Sequence, residues 1–347
     1  MRKKWGIILG LTGMMLLGSQ SIYAAEAADG TAETTDAANE KETAGTDDIE
    51  SRIKKGGFTA GVSVHDPSVI KDNDTYYIFG SHMESAKSAD LKNWTGFSSG
   101  VNAENKLFDN LFDGEEDGDP AAFTYVGKNE EGGYSVWAPD VIYNKKMGKY
   151  VMYFCTTSSY VKSNICFATA DDIEGPYHYE DTFLYSGYSY HDVKESNIEE
   201  LMGTDPRPYT AASYDNNNWP NCIDPDVFYD EDGRMWMVYG SWSGGIFLIE
   251  IDEETGYPIY PEADEETMWT VIMARNLLGG YHNSIEGPHI MYDKTSGYYY
   301  LFLFLRKSAG KRTVIRCVFS VVILWTELIQ MQQGRICIYL WSIKIMD

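Results

Sequence analysis

Basic residues, cysteines and helical periodicity are all scarce in this 347-residue sequence. Lys and Arg number 28 against 52 Asp and Glu, a formal net charge of −24 at pH 7. A chain so acidic is repelled by phosphate backbones and anionic lipid headgroups, which argues against nucleic acid and membrane surfaces as partners. It suits a soluble chain acting on a neutral substrate. The five cysteines (Cys155, Cys166, Cys222, Cys317 and Cys337) are odd in number and lack the paired spacing of a zinc site. Cys155 and Cys166 read as small buried hydrophobes on neighbouring strands rather than as a disulfide. Apolar residues at a 3.6-residue period are nearly missing, so strands must build the core. No Kelch or WD signature is present, nor the Ser-x-Asp-x-Gly box of sialidases.

The chain opens on Arg2, Lys3 and Lys4, then an apolar run over residues 5–17, then small residues around Ala24, Ala25 and Ala27. That order predicts an export signal over residues 1–25, with an apolar run too short to span a bilayer. No cysteine follows the run to carry a lipid. Residues 26–50 hold nine Asp or Glu against Lys41 alone. Residues 26–57 therefore read as an acidic disordered linker, unable to bury enough apolar surface to fold. The expected location is secreted and extracellular.

Three motifs place an acid beside or near a proline at the start of an apolar strand: H-D-P-S-V-I around Asp66, I-D-P-D-V-F around Asp224 and S-I-E-G-P-H-I around Glu286. Taken singly, each is also ordinary turn punctuation. Taken together they belong to a repeat, with prolines at Pro67, Pro139, Pro225 and Pro288. Each proline leads a short apolar strand, a polar turn and a Tyr- or Trp-rich strand. Radially repeated four-stranded sheets make a β-propeller whose innermost strands converge on one axis. The expected fold is all-β: a five-bladed propeller, incomplete here, with about four blades over residues 58–305. Convergent carboxylates are what glycoside hydrolysis needs: one protonates the leaving oxygen and another activates a water.

Residues 62–304 resemble the family 43 glycoside hydrolases, in the segments V-H-D-P-S-V-I, V-W-A-P-D-V, I-D-P-D-V-F, Y-G-S-W-S-G-G-I-F and H-N-S-I-E-G-P-H-I. The similarity is greatest to the endo-acting arabinanases of that family. The resemblance implies a secreted, inverting hydrolase that cleaves α-1,5-arabinan, with plant cell-wall arabinan or arabinoxylan as its partner. It also implies Asp66 as general base, Glu286 as general acid, and Asp224 as the residue that orients the acid and raises its pKa by like-charge proximity. The alternatives are an exo-acting α-L-arabinofuranosidase or β-xylosidase and, from another class, an inactive carbohydrate-binding fragment. Trp137 is a candidate for stacking on a sugar ring, or a core residue at a strand start. Asp140 is a candidate for holding a sugar hydroxyl, or for a turn hydrogen bond. Ser241 and Trp242 are expected to line the cleft. His82, His282 and His289 stay unassigned. No cofactor is needed for the chemistry and no residue is assigned to a metal. The family's structural calcium, held through a histidine of the final blade, is expected only in a complete protein.

From Arg306 the composition changes. Residues 306–347 carry seven Lys or Arg and two Asp or Glu, a net of 7 − 2 = +5, which leaves 21 − 50 = −29 for residues 1–305. Residues 313–325 are nearly all apolar, interrupted by Arg316, without a helical stripe. Read in a shifted frame, codons compatible with residues 312–339 permit a string similar to this chain's own F-A-T-A-D-D-I-E-G-P-Y. The tail, residues 306–347, is therefore expected to be a frameshift product that packs poorly and is irregular or isolated.

Overall fold

Four prolines head four antiparallel sheets. The computed structural model describes residues 61–116, 118–260, 275–278, 280–281, 283–309, 312–317 and 321–323. The expected export signal, the acidic linker, His282 and most of the expected tail lie outside them. The first sheet is a meander of β1 (Ser68–Asp72), β2 (Thr75–Gly80), β3 (Glu84–Ser88) and β4 (Thr95–Ser98). A two-residue ribbon follows, β5 (Glu115–Glu116) with β6 (Asp119–Pro120). The second sheet contains β7 (Ser135–Asn144), β8 (Lys149–Ser159), β9 (Lys162–Ala170) and β10 (His178–Ser186). The third contains β11 (Asp226–Tyr229), β12 (Met235–Tyr239), β13 (Ile246–Ile251) and β14 (Arg275–Leu278). The fourth has β15 (Ile285–Asp293), β16 (Tyr298–Ala309) and β17 (Arg312–Cys317), with β18 (Val321–Ile323) also on β16. Among the described residues the single α-helix is α1 (Ile198–Met202), in the long connection between the second and third sheets.

The middle sheets bury both faces. In β12, Met235, Met237 and Tyr239 join the large core shared with the first and second sheets, while Trp236 and Val238 turn to a second cluster shared with the fourth. Side chains alternate across a strand, so five consecutive buried residues require a neighbour on each face. The outer sheets are half covered. Tyr299, Leu301 and Leu303 of β16 are buried, whereas Phe302 and Phe304 on the opposite face are about 40% exposed. Cys155 and Cys166 lie on neighbouring strands β8 and β9, both buried and both free thiols.

The described part of the tail departs from expectation. Strand β16 runs through residue 305 to Ala309, and β17 and β18 pair along one of its edges. Thr313, Val314, Ile315 and residues 321–323 are β-branched, and such residues suit a strand laid against an open sheet edge.

A polar ladder joins the sheets through the residue after each proline. The Val141 N–H donates to Ser68 Oγ at 3.4 Å, and that hydroxyl donates to Asp140 Oδ1 at 2.5 Å. One sheet on, the Val227 N–H donates to Asp140 Oδ2 at 2.7 Å. On the next, the Ile290 N–H donates to Asp226 Oδ2 at 3.0 Å, and His289 Nδ1 pairs with Asp226 Oδ1 at 2.6 Å. Each innermost strand thus satisfies a backbone donor of its successor, which fixes how the strand starts are arranged.

Burial and the neighbouring Asp226 charge raise the Asp140 pKa, and the hydrogen bond to Asp226 raises that of His289. Both groups bind their proton more tightly when folded, so both contribute stability at low pH that is lost as pH rises through the raised values. We therefore expect the melting temperature to fall between pH 5 and pH 8. In Asp140→Asn that fall should be visibly shallower, because the amide can still accept from Val227 and can donate to Ser68. A melting series across that window checks it. An equal slope in the two proteins would count against the ladder's charge.

Candidate active site

One backbone device recurs at every strand start. The residues before the four prolines, Asp66, Ala138, Asp224 and Gly287, have φ of 48°, 42°, 56° and 58°. Proline disfavours the right-handed helical region for the residue before it. A left-handed conformation there is costly for most side chains but tolerable for Asp and free for Gly. Ala138 has neither excuse, and strain of this kind gathers at functional sites. In the second and fourth sheets the kink also shifts register, between Trp137 and Asp140 and between Glu286 and His289. Glu286 stands one residue earlier than the two aspartates, beside the kink.

Asp66 is partly exposed and has one oxygen occupied. Its Oδ2 accepts from Ser81 Oγ at 2.6 Å and pairs with His65 Nδ1 at 2.7 Å. Ser81 is buried, and its Oγ also accepts from the Ala138 N–H at 3.0 Å. Asp224 accepts the Gly287 N–H on Oδ2 at 3.1 Å. Burial first, then the Asp66 charge and the Glu286 charge, push its pKa up to about 7, opposed by the Gly287 hydrogen bond and by His65. The three carboxyls are therefore electrostatic neighbours. Glu286 Oε2 accepts the indole N–H of Trp242 at 2.9 Å.

Beside them opens a cleft of about 740 Å³, lined among others by Trp137, Ser241, Trp242, Glu286 and His82. Trp137 is 37% exposed there, whereas Ser241 is buried in the wall. Asp140 sits elsewhere. Both its oxygens are engaged, by Ser68 and by the Val227 N–H, so it ties three sheets together and does not face the cleft with Trp137. A tie of this kind corrects the sugar-binding expectation for Asp140. Sequence reasoning missed Ser81 and Tyr160. Tyr160 lines the cleft and its hydroxyl shares a 2.9 Å hydrogen bond with Ser243 Oγ. The signal for Ser81 is a repeated Gly-Ser at the end of the second strand of a unit, Gly80-Ser81 and Gly240-Ser241.

Chemically, the arrangement offers two accessible carboxyls, each with one oxygen occupied by a donor, and a third whose raised pKa keeps it largely protonated at mildly acidic pH. Such a set can pass a proton to a leaving oxygen and take one from water. Among the described residues no group of three His, Cys, Asp or Glu is arranged to hold a metal ion, and no step here is routed through one.

Residues 60–194 match the family model "Glycosyl hydrolases family 43". The chain is 38% identical over 244 residues to extracellular endo-α-(1→5)-L-arabinanase 2 of Bacillus subtilis, covering 70% of this chain and 44% of that protein. It is 37% identical to an extracellular endo-α-(1→5)-L-arabinanase of Thermotoga petrophila, covering 69% of this chain and 45% of that one. Among solved structures, the endo-1,5-α-L-arabinanase of Thermotoga petrophila superposes with a TM-score of 0.57 at 34% identity, over 71% of this chain and 48% of the other. The chain thus spans about half the length of these relatives. With Asp66 inside the matched residues and relatives 37–38% identical over about 70% of its length, the chain belongs to glycoside hydrolase family 43.

Proposed function

We propose that the chain supplies the catalytic centre of a secreted, inverting endo-arabinanase that hydrolyses α-1,5-arabinan. The observation that carries this reading is the grouping of Asp66, Asp224 and Glu286 beside a cleft walled by Trp137 and Trp242. Asp66, partly open to water, is the general base. Glu286, in the cleft wall, is the general acid. Asp224, whose carboxyl is pushed toward its protonated form by burial and by the Asp66 and Glu286 charges, stands beside both, holds the Gly287 backbone and thereby orients the acid. In an inverting step the water oxygen bonds to the anomeric carbon as its proton passes to Asp66. The bond to the leaving oxygen breaks, and that oxygen takes the Glu286 proton. The flat faces of Trp137 and Trp242 suit apolar sugar faces, and the reaction asks for no cofactor.

The four sheets are read as successive blades of a five-bladed propeller. Two findings support this: each sheet packs on the next in sequence order, and the innermost strands are stitched by the polar ladder. The N-terminal pattern and the relatives' names as extracellular proteins support secretion.

The test is incubation with linear arabinan. New reducing ends, released first as the β-anomer by proton NMR from an α-linked chain, are the expected result. Oligomers of mixed length mark endo action, whereas a single short product marks an exo-acting arabinofuranosidase. Saturable binding without any new reducing end would mean a carbohydrate-binding chain and would overturn the reading.

A further inference from the structure

Among the described residues each of the two working carboxyls is gripped on one oxygen only, and besides His65 on Asp66 the two grips come from the same place in the repeat. Gly80-Ser81 ends the second strand of the first sheet, and Gly240, Ser241 and Trp242 follow the second strand of the third. In both units the segment is tied to the residue before the kinked Asp: the Ser81 N–H donates to His65 O and the Gly240 N–H to Ile223 O, each at 2.9 Å. From the first segment Ser81 reaches Asp66 Oδ2. From the second Trp242 reaches Glu286 Oε2. The Trp242 loop is built for this reach. Trp242 and Ser243 have φ of 49° and 33°, the Gly245 N–H closes the turn on Trp242 O at 2.7 Å, and the Trp242 N–H donates to Ile285 O at 2.7 Å. Two consecutive left-handed residues that are not glycine cost conformational energy. Here they set the indole N–H against one oxygen of the neighbouring glutamate.

We propose that Ser81 and Trp242 are positioning residues that assign the two oxygens of each carboxyl to different tasks. A carboxylic acid carries its proton on one oxygen. In a carboxylic acid the carbonyl oxygen is a much stronger acceptor than the hydroxyl oxygen, so the indole N–H on Oε2 favours the tautomer with the proton on Glu286 Oε1, free to face the leaving oxygen. By the same logic the Ser81 hydroxyl and His65 occupy Asp66 Oδ2, which leaves Oδ1 to take the water proton. Neither residue changes its own protonation in the step. Each acts through the carboxyl it holds. This inference rests on the reading of Asp66 as base and Glu286 as acid.

The experiment exploits the leaving group. Protonation by an acid matters for a sugar alcohol leaving group and little for a dinitrophenolate, which departs as an anion, whereas water activation is needed for both. Trp242→Phe keeps an apolar ring and loses the N–H. It should lower kcat on arabinan about ten- to hundredfold, the usual worth of a hydrogen bond to a group that becomes charged, as Glu286 does when its proton leaves, with KM within about threefold. On a dinitrophenyl arabino-oligosaccharide it should recover to near the unmodified rate. Ser81→Ala should lose about tenfold on both substrates, because His65 still holds Oδ2. Thermal melts identify a variant that fails to fold. In that case Trp242→Tyr and Ser81→Cys replace them under the same comparison.

A Trp242 variant equally impaired, or equally unimpaired, on the two substrates overturns the proposal, as does a Ser81 variant rescued by the activated one. Glu286→Gln run in parallel separates the two levels. If Glu286→Gln stays fully active on arabinan, or the unmodified chain cleaves neither substrate, the acid–base reading fails and this inference with it.

Discussion

Glu286→Gln and Asp66→Asn should each lower the turnover of arabinan by about two to four orders of magnitude, the usual worth of a general acid or base, while the melting curve stays where it is. In Glu286→Gln the new amide can still accept the Trp242 N–H, so the cleft wall keeps its hydrogen bond. It has no proton acidic enough for a departing alkoxide. In Asp66→Asn the amide oxygen can likewise accept from Ser81, but the group cannot take a proton from water. Both side chains are partly exposed, so neither exchange buries an unpaired group, and this is why stability should hold. The measurement is kcat on linear arabinan beside a thermal melt. A variant folded as the parent and still within tenfold of its rate would remove that residue from the mechanism. Loss of both fold and rate would show that the carboxyl is structural.

Much of the fold is legible in the sequence because the repeat is simple. Four prolines, four apolar strands and four aromatic-rich partners announce four sheets; β1 and β11 begin right after their prolines, whereas β7 and β15 begin at Ser135 and Ile285, ahead of Pro139 and Pro288. The all-β class follows from the same pattern. Harder to read is which faces are buried. Strand β12 reads M-W-M-V-Y with no polar residue to mark a face, because it packs on two neighbours at once. The placing of Asp66, Asp224 and Glu286 at strand starts is equally legible, since Asp-Pro and Glu-Gly-Pro bring the kink with them. Asp140 shows the limit. It follows a proline as Asp226 does, and nothing local distinguishes an acid that faces sugar from one that holds a backbone N–H 87 residues away. Ser81 is invisible for a similar reason. Its meaning lies in two partners, Asp66 and the Ala138 N–H, one of them from another sheet. Strands β17 and β18 escape notice because their residues carry β propensity without alternation, and an open edge of β16 supplies the rest.

Gly240→Ala should be the most damaging small change near the cleft, in stability and in rate together. Gly240 has φ of 114°, a region that L side chains rarely adopt, and an added Cβ would lie 2.4 Å from the carbonyl oxygen of Gly245. That oxygen is backbone in the tight turn that sets Trp242, so it cannot swing aside as a flexible side chain could. Relief requires the turn to open, and opening it pulls the Trp242 indole from Glu286 and the Trp242 N–H from Ile285 O. Backbone strain of this kind costs about 1–3 kcal/mol, and the lost hydrogen bonds bring the total to roughly 2–4 kcal/mol. For a domain of this size that is a melting temperature lower by about 5–15 °C. Gly233→Ala is the matched control. Gly233 has a positive φ of 82° in the turn between β11 and β12, and open space where its Cβ would go. It should cost about 1 kcal/mol from the backbone alone and leave kcat intact. If the two variants melt together, or if Gly240→Ala keeps full turnover, the turn does not hold Trp242 in the way its geometry implies.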